Sequence, residues 1–279
     1  MTPFDALRAP CCDATGTAER AGLSWRALAL CLYLLALPHP RAALAAELHV
    51  AVAANFLSTL QQLSSRYEQR VGDRIVASAG SSGQLYSQIR QGAPFDLFLS
   101  ADSERPRRLE EEHLIVPGSR FTYAIGTLVL WSARPGFIDR DGQRLRGGDY
   151  RYLAIGDPSN APYGAAARIL LMRMGLWQRL GREQQLVVGE SLTQTYQFIA
   201  SGSADLGFVA LSQVIGRNGK IAGGSYWIPP QSMYPPIQQD AVVLARSAVP
   251  QAAQAFDRWL RADPAAAAII RAAGYRTAD

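Results

Sequence analysis

The 279-residue sequence predicts an α/β protein of two lobes, each a mostly parallel sheet flanked by helices, joined by a two-strand hinge. Three observations predict it. From Leu48 onward, short apolar runs alternate with segments of helical period, the pattern of parallel strands linked by crossover helices. That alternation breaks after a long strand-like run at Tyr123–Ala133 and restarts at Tyr152. A second long run, "QQDAVVLAR" from Gln238 to Arg246, comes near the end, so one lobe is interrupted by the other and then resumed.

The elements follow in order. "LHVAVAA" reads as a strand, and Asn55 opens a helix on which Phe56, Leu60, Leu63 and Tyr67 recur on one face until Gly72 stops it. "RIVASAG" is the second strand, and Ser81 and Ser82 open a helix with Leu85 and Ile89 inward, closed by Gly92. "FDLFLSAD" is the third strand and "ERPRRLEEEHLI" a polar helix. After the Tyr123–Ala133 run and a loop rich in Gly, Asp and Arg, the second lobe reads as strand "YLAIGD", helix "YGAAARILLMRMG", strand "QLVVGE", helix "SLTQTYQFIASG" and strand "ADLGFVAL". The turn-rich "PPQSMYPPI" leads into the returning strand, and two helices, at about 251–261 and 264–273, close the chain. The domain boundaries expected are a leader over 1–46, a first lobe over 47–126 and 233–279, and a second lobe over 127–232.

The leader reads as a secretory signal. Arg20 and Arg26 precede the apolar run Ala27–Leu37, Pro38 and Pro40 follow, and Ala43-x-Ala45 offers a small-residue cleavage site. At 11 residues the run is too short for a bilayer span, which takes about 20. Cys11, Cys12 and Cys31 all lie in this leader, so the exported part has no thiolate, disulfide or zinc–thiolate chemistry. Bulky Leu30 before Cys31 argues against a lipid-acylation site. Composition is that of a globular protein, 48% hydrophobic and 18% charged. The net charge is +5, yet Lys220 is the one lysine and the arginines are scattered among acids, which argues against a nucleic-acid partner.

Four places share one design, in which a strand ends, small or polar residues turn, and a helix begins. They are "AVAANF" at Asn55, "AGSSGQL" at Ser82, "GDPSNAPYGAA" at Tyr163 and "GESLTQ" at Leu192. Helix starts carry unpaired N–H groups and about half a positive charge, and in doubly wound sheets they gather where ligands bind. Facing one cleft, they form a neutral, donor-rich cage for a small anion. Taken singly, Asn55 and Ser82 read more readily as helix caps, and Gly80 and Gly83 serve as turn residues. The serine loop lacks the Gly-Lys-Ser/Thr ending of a nucleotide-binding loop. A serine nucleophile needs a histidine base, and past the leader there are only His49, within a strand, and His113, on a charged helix. Two separate histidines without cysteines make no transition-metal site, so neither catalytic residues, nor metal ligands, nor a cofactor are expected.

The segments "AVAANF", "GSSGQLYSQIRQGAPFDLFLSAD", "PGSRFTYAIGTLVLWS", "IGDPSNAPYGAAA" and "SGSADLGFVALSQ", within Leu48–Tyr275, together resemble the periplasmic molybdate-binding proteins of ABC transporters. The resemblance implies a type II periplasmic-binding-protein fold, a periplasmic location and a membrane permease as partner, with the protein itself a monomer. It implies molybdate or tungstate as ligand, held by uncharged donors at Ala54, Asn55, Ser82, Tyr163 and Leu192, the last two mainly through the backbone. Some members place a tyrosine hydroxyl where this chain has Ala210, a departure that leaves the oxyanion one donor fewer or shifts that role to Asn55 or Ala54. The alternatives are a binding protein for sulfate, phosphate or an organic anion, and an enzyme acting on a phosphoryl or acyl substrate in the same cleft. The second requires a positioned base or metal, and the sequence offers neither.

Overall fold

The fold is that of a computed structural model in which residues 45–216 and 219–277 are described. The leader expected over 1–46, with Cys11, Cys12 and Cys31, lies outside the described residues except for Ala45 and Ala46. Among the described residues no helix is long and apolar enough to cross a membrane.

The chain begins with strand β1 (Glu47–Ala53), a 3-10 turn (Ala54–Phe56) and helix α1 (Leu57–Val71). β1 reads as nearly continuous apolar sequence because it is central and covered on both faces. Leu60, Leu63 and Tyr67 face inward on α1 at helical spacing, and left-handed Gly72 (φ 89°) ends it by donating its N–H to the Glu68 carbonyl. β2 (Arg74–Gly80), α2 (Ser82–Arg90), β3 (Leu97–Leu99), α3 (Glu104–Glu111) and β4 (Phe121–Gly126) follow. The chain then crosses to β5 (Leu128–Ser132), α4 (Gln143–Gly147), β6 (Leu153–Gly156), α5 (Pro162–Arg173), α6 (Trp177–Arg182) and β7 (Leu186–Gly189). α7 (Leu192–Ala200), β8 (Leu206–Ala210), α8 (Leu211–Val214) and β9 (Ser225–Trp227) complete that part. The return runs through β10 (Ile237–Val243), α9 (Pro250–Ala262) and α10 (Pro264–Ala272).

Two five-stranded sheets result, in the orders β2-β1-β3-β10-β4 and β7-β6-β8-β5-β9, and they belong to one compact unit. The two orders are the same design. In each sheet the strand in fourth place, β10 or β5, is the one that has just crossed from the other lobe, and it runs antiparallel to both neighbours. The sheets are therefore mixed, a refinement of the parallel reading. Alternate residues of β1 serve opposite faces: Leu48, Val50 and Val52 pack with α1, α9 and α10, while Ala51 packs with Leu85, Phe98 and Leu109. Burial of each such large side chain contributes about 1.5–3 kcal/mol.

The run Tyr123–Ala133 is not one strand but two, in different sheets, with Thr127 between them. The peptides at the break are engaged elsewhere: the Thr127 carbonyl accepts from the Leu211 N–H, and the Leu128 N–H donates to the Tyr234 hydroxyl at 3.2 Å. The second crossing, residues 228–236, is irregular and contains a 3-10 turn at Gln231–Met233. α4, α6, α8 and β9 have no counterpart in the sequence reading, being too short for their periodicity to register. α6, for instance, buries only Leu180.

Candidate functional site

The four strand-to-helix junctions meet around one small cavity between the lobes. Ala54, Asn55, Ser82, Tyr163 and Leu192 all line it, together with Gly80, Ser81, Ala101, Ala161 and Pro162. The carboxyl ends of β1, β2 and β3 supply one wall and the starts of α5 and α7 the other. This is the crevice at the strand ends where a sheet's connections diverge. None of the lining residues is Asp, Glu, His, Lys or Arg.

Local geometry fixes which donors remain. In α2 the cap is Ser81, not Ser82: Ser81 Oγ accepts from the Gln84 N–H and the Gln84 side chain accepts from the Ser81 N–H, a reciprocal capping box. The Leu85 N–H donates to the Ser81 carbonyl and the Gly83 N–H to Asn160, leaving the Ser82 N–H at the helix tip. Ser82 Oγ accepts from the Ala101 N–H at 2.9 Å, so the hydroxyl hydrogen is still available to donate. In α7 the Ser191 side chain and carbonyl take the N–H groups of Gln194 and Thr195, leaving that of Leu192. α5 starts with Pro162, which has no N–H, and Tyr163 then presents its own. Gly164 lets this start approach β6, since a Cβ there would run into the Gly156 carbonyl.

Asn55 differs from expectation. It caps nothing, and it sits in the 3-10 turn ahead of α1 instead of opening that helix. Its amide donates to Gln239 Oε1 at 2.8 Å and to the Tyr275 hydroxyl at 3.0 Å, so the donor it offers the cavity is its backbone N–H. Behind it lies a buried hydroxyl–amide network that sequence reasoning did not find. The Tyr123 hydroxyl donates to the Ser100 carbonyl and lies 3.2 Å from Gln239 Oε1, while Gln239 Nε2 donates to the Tyr163 hydroxyl at 3.1 Å. Ser212 Oγ donates to the Asn55 carbonyl at 2.9 Å, and the Tyr275 hydroxyl lies 2.7 Å from that carbonyl and 2.8 Å from Ser212 Oγ. Burial pushes the Tyr123, Tyr163 and Tyr275 hydroxyls above the ordinary tyrosine range, so they remain protonated donors and acceptors. The sequence signal was faint: Gln239 is a buried polar residue within the run Gln238-Gln239-Asp240 of the returning strand.

At the outer rim the lobes touch. The Gly83 N–H donates to the Asn160 carbonyl at 3.0 Å, and Arg105, paired with Asp102, donates to the Ser159 carbonyl at 2.7 Å. His49 is partly exposed beside Glu47 at 3.4 Å, and His113 lies past the end of its helix with φ 56°, a correction to its helical placement. Neither lines the cavity. Ala210 is fully buried at the end of β8 and does not line it either.

Residues 48–276 match the family described as bacterial extracellular solute-binding protein. The molybdate-binding protein ModA of Azotobacter vinelandii is 48% identical over 234 residues, 84% of this chain and 91% of that protein. ModA of Rhodobacter capsulatus is 47% identical over 258 residues, 92% of this chain and 96% of that protein. The solved periplasmic molybdate-binding protein of A. vinelandii superimposes with a TM-score of 0.81 at 46% identity, covering 83% of this chain and all of that one (100%). A match of this extent in both sequence and fold decides the matter: the chain belongs to the ModA-like family of extracellular solute-binding proteins, on the type II periplasmic-binding-protein fold, a family of transport proteins and not of enzymes.

Proposed function

We propose that the protein captures molybdate or tungstate in the interlobe cavity and delivers it to the membrane permease of an ABC transporter. The observation that carries this reading is the cavity itself: helix starts from both lobes converge there, and every lining residue is uncharged. The Ser82 hydroxyl and the N–H groups of Ala54, Asn55, Ser82, Tyr163 and Leu192 are its donors, a set suited to an oxyanion that has no proton to give back. The names of the relatives from A. vinelandii and R. capsulatus supply the choice of anion. Size supplies the selectivity, because a smaller oxyanion such as sulfate cannot reach both walls at once. Each donor left unmet in a closed site costs about 1–3 kcal/mol.

In this reading the protein works as a monomer in the periplasm, released from the leader near Ala46 or Glu47. Sequencing the N-terminus of the periplasmic form checks the release, and an intact leader on a cytoplasmic protein contradicts it. The ligand is checked by thermal unfolding: molybdate at a hundred times its dissociation constant should add about 2.7 kcal/mol of stability. No upward shift with either molybdate or tungstate would overturn the reading.

A further inference from the structure

The hydroxyl–amide network behind the cavity joins the lobes beside the strands that cross between them. Asn55, Tyr123, Gln239 and Tyr275 belong to the elements of the first sheet, whereas Ser212 lies on α8 and Tyr163 on α5, both built on the second. Two bridges span the gap: Ser212 Oγ to the Asn55 carbonyl, with the Tyr275 hydroxyl closing the triangle, and Gln239 Nε2 to the Tyr163 hydroxyl. Both are buried, with Gln239 0% and Asn55 2% exposed. Tyr163 is seated so closely that a Cβ on Gly126, at the first crossing, would collide with its hydroxyl.

Two lobes that only had to adhere would do so through apolar contact, and parting them would then cost about 25 cal/mol for each Å² exposed. Hydrogen-bonded groups exchange each other for water on parting, at a net cost of about 0.5–1.5 kcal/mol per bond. A polar wall therefore defines one closed position without locking it. Asn55 ties that wall to the cavity, since it lines the ligand space while its carbonyl and amide hold Ser212, Tyr275 and Gln239.

We infer that this network sets the closed position of the lobes, and that Ser212 and the Tyr163 hydroxyl are positioning residues: they hold lobe II against the Asn55 turn and so govern how long a bound anion stays. The inference rests on the cavity being the anion site. Ser212→Ala removes one interlobe bond without touching the cavity lining, and Tyr163→Phe removes the other while keeping the backbone donor. Each lowers the closed-to-open ratio by about three- to tenfold.

The test is stopped-flow release of molybdate, together with distances between spin labels at Gln88→Cys and Met172→Cys, exposed positions in the two lobes. The described chain has no cysteine of its own to interfere. Both variants should release molybdate three- to tenfold faster than the parent, Ser212→Ala with association unchanged. Release within twofold of the parent in both variants overturns the inference. If the parent binds no molybdate, the anion reading fails, and the label distances in ligand-free protein decide alone: longer distances in the variants support the network's role, and unchanged distances overturn it.

Discussion

Ser82 and Leu192 occupy equivalent places, each the first residue of a helix whose preceding serine is the cap, yet they donate differently. Ser82 adds a hydroxyl already oriented by the Ala101 N–H, whereas Leu192 offers only its peptide. Ser82→Ala should therefore weaken molybdate binding about ten- to a hundredfold, the worth of a hydrogen bond to a charged group. Leu192→Ala should change it severalfold at most, and equal losses by calorimetry would contradict the division of roles. Ser82→Asp should abolish binding, because a carboxylate repels the anion and competes for the same N–H groups. Its ligand-free thermal midpoint should stay near that of the parent, since an acid in the first helical turn suits the dipole. At this scale the sequence was informative about position and less so about role. Ser82, Tyr163 and Leu192 were legible from strand-to-helix punctuation. That Ser81 holds the cap, and that the Asn55 amide turns away to Gln239 and Tyr275, depends on partners up to 220 residues distant, which no local pattern encodes.

Helix starts become a site only when the two lobes meet, and α2 carries the contact at the rim. A Cβ on Gly83 would lie 2.5 Å from Asn160 Oδ1 and 2.9 Å from its Cα, so nothing larger than glycine allows the observed approach. Gly83→Ala should hold the lobes apart and reduce affinity at least tenfold. The same change favours the helix itself by up to about 1 kcal/mol, so the ligand-free protein should be no less stable. A variant that binds like the parent would show that rim contact is not needed for capture. The long amphipathic and apolar elements were legible because periodicity over many residues outweighs local exceptions, as with Phe56, Leu60, Leu63 and Tyr67. The Tyr123–Ala133 run deceived because both halves are apolar strands, and only the partners of Thr127 and Leu128 reveal the break. β9 and α6 were missed because three- and six-residue elements draw their stability from packing, not from pattern.

The molecule as a whole confines its charge to the outside of the cavity. With no carboxylate, histidine, lysine or arginine in the lining, and with Tyr163 held above its ordinary pKa of 10.0, affinity should be flat between about pH 6 and 9. Stability has a different limit. The folded state raises the pKa of Tyr123, Tyr163 and Tyr275, so their contribution is complete below pH 10 and is lost as pH rises from there through the folded values. Thermal midpoints should thus hold to about pH 9 and fall beyond 10, more gently in Tyr275→Phe once its own loss of hydrogen bonds is accounted for. A steep fall between pH 7 and 9 would implicate some other group. Helix-end donors act at short range, so raising salt from low to physiological should also weaken binding only modestly.

The two-lobe plan was legible because the α/β alternation stops and restarts. The closed pocket was not, since it arises from the mutual fit of both halves at Gly83, Asn160 and Ser212. The central claim is that this fit selects a large tetrahedral oxyanion through neutral donors. Calorimetric titration of the purified protein with molybdate, tungstate, sulfate and phosphate tests it most directly. The account predicts molybdate and tungstate within about tenfold of each other and sulfate at least about thirtyfold weaker, the effect of two unmet donors at about 1–3 kcal/mol each. Sulfate or phosphate binding as tightly as molybdate would contradict it.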